Sequence, residues 1–210
     1  MIRTAFVLLI AVLLAGCAHT PSRQVFPRHY TLTVSPLNAP STGIHVHATL
    51  QVGRISVPPW LDGSDLYYRL DYRHDDQIAA YGQSDWIAPP ARLLEQAVVT
   101  VMGTSGAWRI VTGPASAARS DFSLDIRLND FSQVFTSPVA SKGVLDATAT
   151  LLDNQTDQAV AQRHFHIQAP SPSPDAAGGA RALNAASQQF VAQLRQWLAT
   201  ARPPLPSPEP

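Results

Sequence analysis

Cys17 is the only cysteine among 210 residues, and it closes the apolar run at the start of the chain. That placement leaves no partner for an intrachain disulfide, so the chain that follows must be held by an apolar core rather than by covalent staples. The run itself extends from Ala5 to Leu14, with Arg3 before it and the small residues Ala15 and Gly16 after it. A charged start, a short apolar middle and small residues ahead of a cut form the layout of a secretory signal. The run falls short of the roughly 20 apolar residues that span a bilayer. Removing residues 1–16 leaves 194 residues, enough for one domain with a substantial core.

Charge narrows the choice of partner. Lys plus Arg and Asp plus Glu both total 15, so the net charge is zero, and no long basic or acidic block appears. Nucleic acid is therefore not an expected partner. Charged residues make up only 14%, so the surface must lean on Ser, Thr, Asn, Gln and Pro.

Periodicity supplies the rest of the plan. Tyr30 to Val34 alternates and predicts a first strand, and Ala48 to Val57 predicts a second. Pro58 and Pro59 stop it, and Trp60-Leu61 follows as an apolar plug on a turn. Asp65 to Arg73 alternates cleanly, with Leu66, Tyr68, Leu70 and Tyr72 to one side; the return strand of a hairpin runs from Gln77 toward Trp86. Pro90 suits a first helical position, and Leu94, Val98 and Val101 repeat at helical spacing up to Gly103. Trp108 to Thr112 is a short strand. Asp121 to Phe131, Lys142 to Leu152 and Ala159 to Ile167 read as a three-strand meander.

Residues 170–179, rich in Pro, Ser, Ala and Gly, read as a linker. A long helix then carries Leu183, Ala186, Phe190, Leu194 and Trp197 on one stripe to about Thr200. These elements predict a single α+β domain, a largely antiparallel sheet with two main helices packed on it. The expected divisions are a signal peptide at 1–16, a tether at 17–27, the domain at 28–200 and an extended, disordered Pro-rich tail at 201–210.

Motifs for chemistry are scarce. His45-x-His47 and His164-x-His166 each put two imidazoles on one strand face, but no carboxylate accompanies either at a metal-site spacing. Solvated histidines are the reading adopted, with no metal site and no cofactor expected. His74-Asp75-Asp76 suits a turn. Gly82-Gln83-Ser84 lacks the closing glycine of a nucleophile elbow, and no phosphate loop or dinucleotide fingerprint appears. No catalytic residue is assigned, and the chain is expected not to be an enzyme.

Two resemblances give these features a context. Leu14-Ala15-Gly16-Cys17 resembles the lipobox of bacterial lipoproteins, in which cleavage leaves the cysteine as an acylated N-terminus. An ordinary signal peptide with a chance cysteine is the other reading of the same residues. Farther on come Val52-Gly53-Arg54-Ile55-Ser56-Val57-Pro58-Pro59-Trp60-Leu61-Asp62, Leu66-Tyr67-Tyr68-Arg69, Ser84-Asp85-Trp86-Ile87-Ala88-Pro89-Pro90 and Asn129-Asp130-Phe131. In that order they resemble the ABC-type transport auxiliary lipoproteins, the PqiC-like group. Trp60 stands where members usually have Tyr, and Ile87 intervenes between Trp86 and Ala88.

The resemblance implies an anchor at Cys17 and a place at the periplasmic face of the outer membrane, since Ala18 is not the Asp that commonly retains lipoproteins at the inner membrane. It implies an auxiliary role beside an MCE-domain protein and an ABC transporter that move lipids or other hydrophobic molecules. It leaves open a homo-oligomer. The candidate partner contacts are Trp60, Leu61 and Trp86. A periplasmic lipoprotein that itself binds a lipid or envelope ligand is the alternative.

Overall fold

The computed structural model describes residues 26–35, 46–73 and 76–201. Cys17, the signal peptide, almost all of the tether and all of the Pro-rich tail but Ala201 lie outside the described residues, as do His45, the side chain of His47, His74 and Asp75.

A single long strand organises the molecule. β1 is Arg28–Tyr30, β2 Val46–Val52, β3 Asp65–Arg69, β4 Ile78–Trp86, β5 Trp108–Thr112, β6 Phe122–Ser137, β7 Ala140–Asp153 and β8 Gln158–Pro170. The helices are α1, Pro90–Thr104, and α2, Ala176–Ala201. β6 pairs along one edge with β7, which pairs with β8. Its other edge is shared. β2 lies parallel to its first residues, Phe122 to Leu124, and β3 lies parallel to Ser132 to Val134. Between them Ser56 bridges Arg127, with Ser56 N–H on Ile126 O at 3.0 Å and Leu128 N–H on Ser56 O at 2.9 Å. β5 extends the sheet beyond β2, and β4 and β1 extend it beyond β3.

The α+β class is as the sequence predicts, but the sheet is more mixed. Among the described residues four of the seven strand pairings are parallel, and β3 with β4, β6 with β7, and β7 with β8 are antiparallel. Alternation reports a wet face and a dry one; it carries no information about the direction of a neighbour. Here α1 carries the chain from β4 to β5, which lies parallel to β2.

The strand boundaries move for identifiable reasons. β6 outlasts its expected end at Phe131 because its register shifts between Leu128 and Asp130. The extra residue turns the inward phase from Phe122, Leu124, Ile126 and Leu128 to Phe131, Gln133 and Phe135, so one alternation becomes two. β3 ends at Arg69, and Asp71–Arg73 form a 3-10 turn with Arg73 N–H on Leu70 O at 2.8 Å. Residues 31–35 leave the sheet and run along α2. Asn184 Nδ2 donates to Thr31 O at 3.1 Å, Ser35 N–H donates to Gln188 Oε1 at 2.7 Å, and Gln188 Nε2 returns a bond to Ser35 O at 3.2 Å. Asn184 and Gln188, four residues apart on one helix face, take the place of a partner strand.

The expected linker at 170–179 is partly helix. Asp175 caps α2 by accepting the Gly178 N–H at 2.7 Å, so the helix begins at Ala176 with Gly178 and Gly179 inside it. The glycine that matters most for docking lies opposite, on β7. A Cβ on Gly143 would come within 2.7 Å of the backbone of Ala182 and Leu183. Close approach seats α2 across β7, β8 and β6, while α1 covers β5 and β2 and touches α2. The core is the layer between the helices and the sheet. Leu50, Leu66, Leu94, Leu124, Leu145 and Phe190 are fully buried there. Phe165 meets Phe190 edge-on at 5.2 Å between centroids.

Candidate functional site

With both helices on one side, the other side of β6, β7 and β8 carries neither of them; toward the β6–β7 turn Ser132, Val134 and Val144 face that side and are buried, while the rows before them are more open. The register sets its side chains in rows. Asp125 stands opposite Thr150, which stands opposite Gln162; Arg127 stands opposite Thr148, then His164; Asp130 stands opposite Asp146, then His166. In antiparallel pairs opposite residues point the same way, so these rows form one polar surface. Beside it an open groove is lined by Arg54, Ser56, Asp125, Arg127, Thr148 and Gln162.

Asp146 is the centre of this face. His164 Nε2 lies 2.9 Å from both of its oxygens, His166 Nδ1 lies 3.0 Å from Oδ2, and Asn129 Nδ2 donates to Oδ1 at 3.0 Å. Partial burial pushes the carboxyl up, but the bonds from His164, Asn129 and His166 outweigh it and hold it below the usual carboxylate range. The register shift that re-phases β6 also places Asn129 within reach. Next to this cluster Arg69 pairs with Asp130. Burial pushes the Asp130 carboxyl above its usual range, against the pull of the Arg69 charge. Among the described residues no group of three His, Cys, Asp or Glu side chains is arranged to hold a metal ion. The arrangement offers fixed polar contacts around Asp146.

The three candidate contact residues separate. Pro59–Leu61 form a 3-10 turn after Pro58, with Leu61 N–H on Pro58 O at 2.9 Å. The turn sends its two apolar side chains apart. Leu61 is 0% exposed in the core, whereas Trp60 is 36% exposed and stands edge-on over Tyr67, centroids 5.3 Å apart at 81°. Tyr67 in turn donates its hydroxyl to Asp65 Oδ2 at 3.0 Å. Trp86 is 1% exposed and lies against Phe131 at 5.5 Å. Leu61 and Trp86 thus belong to the core and present no surface to a partner; of the three only Trp60 does. Its ring partner Tyr67 is opposite Ser132 in the register, beside the Arg69–Asp130 pair. Sequence reasoning finds the His164-x-His166 pair but not its focus, because Asp146 becomes visible only once β7 and β8 are in register.

Comparison with known proteins follows the same outline. Residues 30–195 match the family model described as the ABC-type transport auxiliary lipoprotein component. The fold is similar to that of a protein from Xanthomonas campestris, with a TM-score of 0.71 and 26% identity over 82% of this chain and 95% of that one. An uncharacterized protein gives a TM-score of 0.64 at 16% identity, covering 82% and 99% of the two chains. A hypothetical protein from Chlamydia trachomatis shares the fold at a TM-score of 0.52 and 7% identity, covering 74% and 98%. No protein of curated function matches the chain.

Proposed function

The chain belongs to the ABC-type transport auxiliary lipoprotein components, and from that membership we propose that it is a non-enzymatic docking subunit of an intermembrane transport system. It is anchored through acylated Cys17 at the periplasmic face of the outer membrane and receives an MCE-domain protein, with its ABC transporter, that carries lipids or other hydrophobic molecules. The family match over residues 30–195, behind a lipobox-like Leu14 to Cys17, is the observation that carries this reading. Among the described residues no helix is long and apolar enough to cross a membrane, which fits attachment through lipid.

The face away from the helices is the docking surface, with Trp60 as its aromatic anchor. An exposed aromatic ring next to a fixed polar surface is the composition of an interface hot spot with a polar surround. The groove along that face is open and polar-lined, a poor seat for acyl chains. Docking is therefore preferred over the holding of lipid by this domain itself.

Co-purification from the native host in mild detergent tests the proposal. The expected result is an MCE-domain protein retained with the lipidated chain, and a Cys17→Ser chain that stays folded but leaves the membrane fraction. Repeated recovery of the intact lipidated chain without any MCE-domain protein would count against it.

A further inference from the structure

The two turns that end β7 differ in chemistry. At one end the turn from β6, Ser137-Pro138-Val139-Ala140, has no charged residue, and Val139 is 80% exposed. At the other, the turn to β8 is Asp153-Asn154-Gln155-Thr156-Asp157, polar throughout and carrying two carboxylates. β7 is 14 residues long, so at about 3.3 Å per residue the turns stand about 45 Å apart. Apart from Phe26 and Val139, the most exposed large apolar side chains are Ile87 and Ile110, and these lie on the flanks of the sheet, after β4 and within β5.

The anchor side of the chain arrives at the uncharged end. β1 runs parallel to β4 and antiparallel to β6 through β3, so the residues before Arg28 leave toward the β6–β7 turn. Arg28 lines one groove with Asp175 and Ala176 at the start of α2. The loop into α2 is tied to the base of the same turn by Ser171 N–H on Ser141 O at 2.9 Å. Phe26, two residues before Arg28, is 76% exposed. Cys17 lies nine Cα-to-Cα steps before Phe26, with eight residues between them. At full stretch they reach about 30 Å, so the anchor holds this end near the bilayer.

We infer that the β6–β7 turn, with Val139 at its tip, rests on the phospholipid surface into which the Cys17 acyl chains insert, so that the long axis of the sheet stands away from the membrane. An uncharged apolar tip loses little on entering the headgroup region and gains from burial, whereas the aspartates of the opposite turn favour water. The domain then presents its polar β7–β8 turn to the periplasm.

This inference rests on acylation of Cys17, and one experiment separates the two. Because Cys17 is the only cysteine, its acylation leaves an introduced cysteine as the sole free thiol. The full lipidated chain carrying Val139→Cys or Gln155→Cys is labelled with an environment-sensitive fluorophore and reconstituted into phosphatidylethanolamine–phosphatidylglycerol vesicles with spin-labelled lipid. The expected result is several-fold stronger quenching and a blue-shifted emission at position 139, with position 155 behaving as in water. Vesicle-bound protein with equal quenching at both positions, or stronger quenching at 155, would overturn the orientation. Protein that does not float with vesicles and shows no acyl mass on Cys17 would overturn the anchor reading itself.

Discussion

Two tryptophans, Trp86 and Trp60, mark the two sides of this sheet's division of labour. In the helix-covered core, Trp86 is 1% exposed and packs on Phe131; toward the face away from the helices, Trp60 is 36% exposed and leans on Tyr67. The covered side is an apolar layer, seated tightly because Gly143 lets the α2 backbone approach. The other side carries a polar array held by cross-strand bonds to Asp146, beside the buried Val134 and Val144. Stability should therefore reside on one side and recognition on the other, and substitutions can test whether the two separate.

The largest effect belongs to the core. Trp86→Ala should cost about 3–5 kcal/mol, read by denaturant unfolding; a cost below 1 kcal/mol would show that the covered layer is not the source of stability. Gly143→Ala comes next. Its Cβ would meet the α2 backbone at 2.7 Å, and lifting the helix should cost about 1–3 kcal/mol, while partner capture by the folded fraction persists.

Trp60→Ala should cost only about 1–2 kcal/mol, the worth of its edge-on contact and partial burial, yet abolish capture of the MCE-domain protein. A large fall in melting temperature would instead move Trp60 into the core's account.

The smallest effect is electrostatic. The Asp146 carboxyl is held below its ordinary value of 3.8. Its contribution is therefore present above the unfolded-state value and is lost as pH falls through the lower folded value. The stability gap between the wild type and Asp146→Asn should narrow as pH drops below about 4. A gap that widens in acid would contradict the bonding at Asp146.

Much of the covered side is legible in the sequence. The alternation from Phe122 to Leu128 and the stripe from Leu183 to Trp197 both point into the core as expected. What escapes is non-local. Gly178-Gly179 reads as linker because composition cannot show Asp175 capping a helix there. The second half of β6 escapes because the register shift breaks its alternation. Trp60 and Leu61, adjacent in sequence and read together as one apolar plug, part company in a 3-10 turn. Trp86, in the Ser84 to Pro90 stretch that resembles the family's, is buried against Phe131. The Asp146 cluster depends on pairings among β6, β7 and β8 that no single strand encodes.

Docking through the face away from the helices is tested most directly by site-specific photo-crosslinking in the native host. A photoreactive aromatic residue in place of Trp60 is compared with one in place of Gln196, which is exposed on the outer side of α2. The expected result is a crosslink from position 60 to an MCE-domain protein and none from position 196. Crosslinks to that protein from position 196 alone would place docking on the helical side and contradict the division between the two faces.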